Sequence, residues 1–187
     1  MKRFFHDYFY SVVKMFINQF AIAIFGIALF VATFRDMNTL CLIASIFSVA
    51  FYLSLIYMVI WEVGAKDRIS VDVGKKPKRI HLGLLLSLMA NIPNIILAII
   101  CIPYTNLRAI PTLLQGMYWG MIRKITLPLG AGGEFVPVSE FWPTYFIIII
   151  PALLTCWLGY YLGHQNFKIS SLFVPEKKKA EKPNVKK

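Results

Sequence analysis

Three places in this chain hold residues of a type and spacing that could do chemistry, and each is tied to a long apolar run. The first is Asn91-Ile92-Pro93-Asn94, inside an otherwise uncharged stretch. Proline removes a backbone donor and its ring collides with the preceding turn, so a kink or local unwinding is expected there. Asn91 and Asn94 are three apart and share one helix face. They flank the break at a depth where polar groups are costly. Two roles are open to them. They can satisfy the freed carbonyls and bond to neighbouring helices, or Asn91, Pro93 and Asn94 can form a midplane site for a small polar solute or ion, built as discontinuous helices build one.

The second place is Glu62, at the end of an apolar run and after Trp61. An i, i+4 ion pair with Lys66 is the ordinary expectation. The sharper one makes Glu62 a gate at the cytoplasmic mouth of the molecule, because ionisable groups at membrane depth are costly and often functional. The third is the run Lys75, Lys76, Lys78 and Arg79, a juxtamembrane basic cluster whose attraction to an anionic leaflet amounts to about 1 kcal/mol per charge. Asp67 and Asp72 interrupt that charge, which leaves room for a soluble partner docking on the same segment.

Other patterns fail on inspection. Gly130-Ala131-Gly132-Gly133 has the glycines of a phosphate loop but no following Lys-Ser or Lys-Thr and no preceding strand. His6, His81 and His164 are scattered, without HExxH or clustered carboxylates, and no serine stands in a GxSxG context. Ser45, Ser48 and Ser54 suit close helix contact. Cys41, Cys101 and Cys156 lack metal-site spacing and behave as small apolar residues, although Cys41 and Cys101 fall at one membrane face, where a bridge between them is conceivable. No catalytic constellation, cofactor or metal is implied.

The elements that carry these residues follow from hydropathy. The chain has 187 residues, 58% hydrophobic and 16% charged, against roughly half and about a quarter in soluble domains. Crossing a hydrocarbon core of about 30 Å takes around 20 apolar residues in a helix. Four stretches qualify: Val12 to Phe34, Leu40 to Val63, Ile80 to Ile102 and Trp142 to Leu162. The first exceeds the roughly 7–15-residue core of a secretory signal and is expected to stay as a helix. The net charge of +11 sits between the runs and not within them, which argues for membrane orientation and against nucleic acid.

Sixteen of the twenty Lys and Arg residues fall on one side if the chain crosses four times; Arg35, Arg108, Arg123 and Lys124 are the exceptions. The positive-inside rule then puts both termini and the Gly64 to His81 loop in the cytoplasm. Between the third and fourth crossings, Ala109 to Ile122 is apolar but contains Pro111 and Gly116. A fifth crossing would send the Lys-rich end outside, so an interfacial or shallow re-entrant helix is expected, with Tyr118 and Trp119 at headgroup level beside Arg123 and Lys124. A mobile loop from Leu127 to Gly133 should follow.

The expectation is therefore an all-α membrane protein: one helical domain over residues 1–174 with four transmembrane helices and the interfacial or re-entrant segment, then a disordered Lys-rich cytoplasmic tail over 175–187. The expected setting is the cell membrane, with anionic lipids at the cytoplasmic face and a membrane-protein partner or a second copy of the chain alongside. The expected role is that of an accessory subunit or scaffold of a membrane complex. The alternative is an oligomeric permeation unit using the Asn91-Pro93-Asn94 break.

Overall fold

The computed structural model describes residues 2–33, 38–77, 79–104, 109–128 and 134–167. Arg35, Lys78, Arg108, the 130–133 glycine run and the 175–187 tail lie outside the described residues. The fold is mostly helical, and three helices are long and apolar enough to cross a membrane: His6–Thr33, Thr39–Asp72 and Thr144–His164. In full, α1 is Lys2–Thr33 and α2 is Asn38–Asp72.

The third apolar stretch is two helices, α3 (Leu82–Ala90) and α4 (Ile92–Ile100), bent by 52° at Asn91. Pro93 occupies the first turn of α4, where a missing N–H costs nothing, so the break falls just before it. The last stretch stays one span, Thr144–His164, with a local change of helix bonding at Ile148–Ile149 between α7 (Thr144–Ile147) and α8 (Ile150–His164). Pro151 in the first turn of α8 is the reason, since it can offer no N–H to the Ile147 carbonyl.

The loop expected over Gly64 to His81 is half helix, because α2 continues to Asp72. Nothing between Ala65 and Asp72 breaks a helix, and two i, i+4 pairs reinforce it, Lys66 with Glu62 and Arg68 with Asp72. The helix stops at Gly74, whose φ of +75° few other residues adopt without strain. Gly74 N–H donates to Val71 O and Lys75 N–H to Ser70 O, both at 2.9 Å. This is a Schellman stop, and it turns Lys75 and Lys76 back along α2.

Between α4 and α7, the segment expected as one interfacial or shallow re-entrant helix is broken and packed inward. It comprises α5 (Ala109–Leu114), a 3₁₀ turn over Gly116–Tyr118, and α6 (Trp119–Lys124). Gln19 Nε2 donates to Leu114 O at 3.3 Å, fourteen residues or about 21 Å from the end of α1. Ser45 Oγ donates to Met117 O at 2.7 Å. Gly116 lies so close to Ala23 and Ile27 that any side chain would overlap them. Tyr118, expected at headgroup level, is buried in the core. Trp119 keeps a boundary contact, its ring 4.5 Å beneath the Arg123 guanidinium. A two-stranded antiparallel ladder, β1 (Thr126–Leu127) with β2 (Val136–Pro137), follows α6, so the fold is not strictly all-α.

The core gathers Met15, Ile22, Ile56, Ile60, Leu86 and Tyr160 from α1, α2, α3 and α8. Gln19, Ser48, Ser87, Asn91 and Asn94 are buried with them, whereas Val31, Ile43, Phe47, Ile99 and Leu154 point outward. Polar groups inside and large aliphatic groups outside is the arrangement that a lipid solvent favours. All three cysteines are buried and unbridged.

Candidate functional site

A concavity with several charged and polar side chains lies where the first turns of α1, the last turns of α2, the turn after it and α8 meet. Its centre is Asp67, which is almost fully buried. Helical spacing puts it there: Ile56, Ile60, Val63 and Asp67 follow one another at intervals of three or four along the inward stripe of α2. Tyr8 continues the corresponding stripe of α1, which includes Met15 and Ile22, and Tyr160 that of α8, with Cys156.

Tyr8 Oη donates to Asp67 Oδ2 at 2.7 Å and Tyr160 Oη donates to the same oxygen at 3.1 Å. Lys76 Nζ donates to Asp67 Oδ1 and to Tyr8 Oη, each at 3.2 Å, and to Asp7 Oδ2 at 2.9 Å. Its ammonium also lies 4.7 Å from the centre of the Tyr8 ring, a cation–π distance. Partial burial works against the charge on Lys76. The bonds to Asp7 and Tyr8 and the Asp67 carboxylate outweigh that burial, and hold its pKa above the ordinary lysine value.

Around this latch is a cleft of about 810 Å³ lined also by Lys75, Arg79, Leu82 and Leu85. Lys75 and Arg79 are exposed there. Neither ion-pairs with an acid among the described residues. By sequence Lys75, Lys76, Lys78 and Arg79 form one cluster of like charges; the structure separates Lys76, spent on the latch, from Lys75 and Arg79, and Lys78 lies outside the described residues.

Asn91 and Asn94 sit elsewhere, at the far end of α3 from the cleft. Asn91 Nδ2 donates to Ser87 O at 2.9 Å, and Asn94 Nδ2 donates to Asn91 Oδ1 at 2.9 Å. The pair thus binds its own span and itself. Asn94 Oδ1 is buried and accepts no hydrogen bond among the described residues. Glu62 takes no part in either cluster. Its side chain is about half exposed, and Oε1 accepts from Lys66 Nζ at 2.7 Å.

Comparison with protein-family models, curated proteins and solved structures finds no match to this chain. Its class rests on its own build: helices suited to crossing a membrane, an apolar core that also holds buried polar side chains, an apolar exterior and a charged cleft at the end of the bundle.

Proposed function

We propose that the chain crosses the cell membrane four times, counting bent α3–α4 as one crossing, with both termini and residues 64–81 in the cytoplasm. In this reading it serves as an accessory subunit or scaffold of a membrane complex and carries no catalytic step. The observation that carries the role is how the buried polar side chains are used. Asp67 is held by Tyr8, Tyr160 and Lys76, and the Asn91 side chain by Ser87 and Asn94. Such bonds fix helices to one another and to themselves, while the outward aliphatic faces remain for lipid and for a neighbouring protein.

Two measurements test the reading. Topology reporters fused at Lys76 and after Lys187 should both read cytoplasm; an external signal from either would overturn the four-crossing arrangement. Purification from native membranes in mild detergent should bring down a second membrane protein in fixed ratio. A lone homo-oligomer would speak for permeation instead.

That second reading has one observation in its favour, the buried Asn94 Oδ1 acceptor at the bend. Substitution separates the two. If the amides serve packing, Asn91→Ala and Asn94→Ala should each lower stability by about 0.5–1.5 kcal/mol, the net contribution of one intramolecular hydrogen bond. Any loss of function should then track the loss of folded protein in thermal melts. Unchanged melting with function abolished would make the bend a solute site.

A further inference from the structure

We propose that the cleft around Lys75 and Arg79 seats the phosphate-bearing headgroup of a net-anionic phospholipid, with the acyl chains running down the outer face of α3. Diffuse attraction between a basic loop and an anionic leaflet needs no cavity. Here a cavity exists, at about 810 Å³, within the roughly 300–1,000 Å³ that small-molecule sites occupy and far larger than a bare phosphate requires. Its wall carries both cationic and apolar side chains. Lys75 and Arg79 are exposed and without acidic partners among the described residues, and Arg79 brings the planar fork that pairs well with phosphate oxygens.

The same lining includes the apolar Val71, Leu82 and Leu85. Leu85 and Leu88, three apart on α3, are both exposed and continue the apolar strip away from the cations. Polar and apolar parts therefore follow each other in the order in which a phospholipid presents them. The cleft also lies at the start of α3, where the basic turn gives way to an apolar helix. Lys76 is no free ligand, because Asp7, Asp67 and Tyr8 already take its donors. Its part is to hold the floor of the site and to stop Asp7 and Asp67 from repelling the phosphate.

The inference rests on the cytoplasmic reading of residues 64–81 only for which leaflet supplies the lipid. Binding in detergent is blind to orientation, so a failed titration and a failed reporter fusion are separate results. The test is titration of the full chain, in a neutral detergent, with phosphatidylglycerol, phosphatidylcholine and glycerol 3-phosphate. Phosphatidylglycerol should bind saturably and at least tenfold more tightly than phosphatidylcholine, with no binding of glycerol 3-phosphate in the same range.

Each of Lys75→Gln and Arg79→Gln should weaken phosphatidylglycerol by about tenfold, the effect of losing one charge-assisted hydrogen bond. Lys66→Gln, whose partner is Glu62 outside the cleft, should leave the affinity unchanged. Equal affinity for the two lipids, or full affinity in both cleft variants, would overturn the proposal. Glycerol 3-phosphate binding as tightly as the lipid would overturn it too, by making the ligand a soluble phosphate. If one cleft variant does not accumulate, the other decides on the same criterion.

Discussion

An Asp67→Ala variant should lose about 3 kcal/mol of stability, the lower end of the cost of breaking a buried charge pair by removing one partner. The low end applies because Lys76 is a third exposed and water can repair part of the damage. Two tyrosine hydroxyls lose their acceptor at the same time, and Tyr160 is held at 2% exposure, where an unmet donor is costly. Asp67→Asn should cost less. The amide oxygen can still accept from one tyrosine, but its NH₂ faces the Lys76 ammonium, donor against donor. Tyr8→Phe should be milder again, since it removes one hydroxyl and leaves the Asp67–Lys76 pair in place. Melting of the three variants in detergent checks the order, and equal stability of Asp67→Ala and the parent would show that the latch holds nothing.

The pH dependence has a definite sign. Lys76 has a raised pKa in the folded chain, so its contribution is whole below the ordinary lysine value of about 10.4 and is lost as pH climbs through the folded value. The parent should lose melting temperature above about pH 10.4 more steeply than Lys76→Met does.

Most of the architecture is legible in hydropathy because a lipid solvent demands helices of one length and one polarity. What escapes is whatever depends on how a helix ends or where a side chain meets another element. Pro93 announces a bend in α3–α4, but Pro151, embedded among isoleucines and leucines, loosens the helix bonding of the last span at Ile148–Ile149 without bending it into two, and is masked by their hydropathy. Asp67 reads in one dimension as an interruption of basic charge. Only its place on the stripe of Ile56, Ile60 and Val63 says that it is buried, and that signal was present in the sequence. Its union with Lys76 was not, because it depends on the turn at Gly74. Tyr8 and Tyr160 look like boundary aromatics until α1 and α8 are packed on α2. The inward course of Ala109 to Ile122 depends on Gly26, Gly116 and Gly120, which let backbones touch; composition alone reads those residues as breakers.

The second large effect is expected at the contact of α2 with α8, the most extensive helix pair among the described residues. Gly159 and Gly163 form a small-xxx-small pattern of the kind that brings membrane helices together. The approach is reciprocal: a methyl on Gly163 would overlap the Trp61 carbonyl, and one on Gly64 would overlap the Tyr160 carbonyl. Backbone cannot turn aside as a side chain can, so Gly163→Ala must push the helices apart. The cost should fall at the upper end of the roughly 1–3 kcal/mol typical of overpacking, and Gly163→Leu should prevent folding. Gly159→Ala should be milder, because the atoms nearest its added methyl belong to the Ile60 and Tyr57 side chains. Moving α8 also carries Tyr160 away from Asp67. The Gly163→Ala and Asp67→Ala effects should therefore overlap, the double variant losing less than the sum by at least about 0.5 kcal/mol. Simple additivity in a double-mutant cycle would mean that α8 yields at Gly163 without disturbing the latch one turn away.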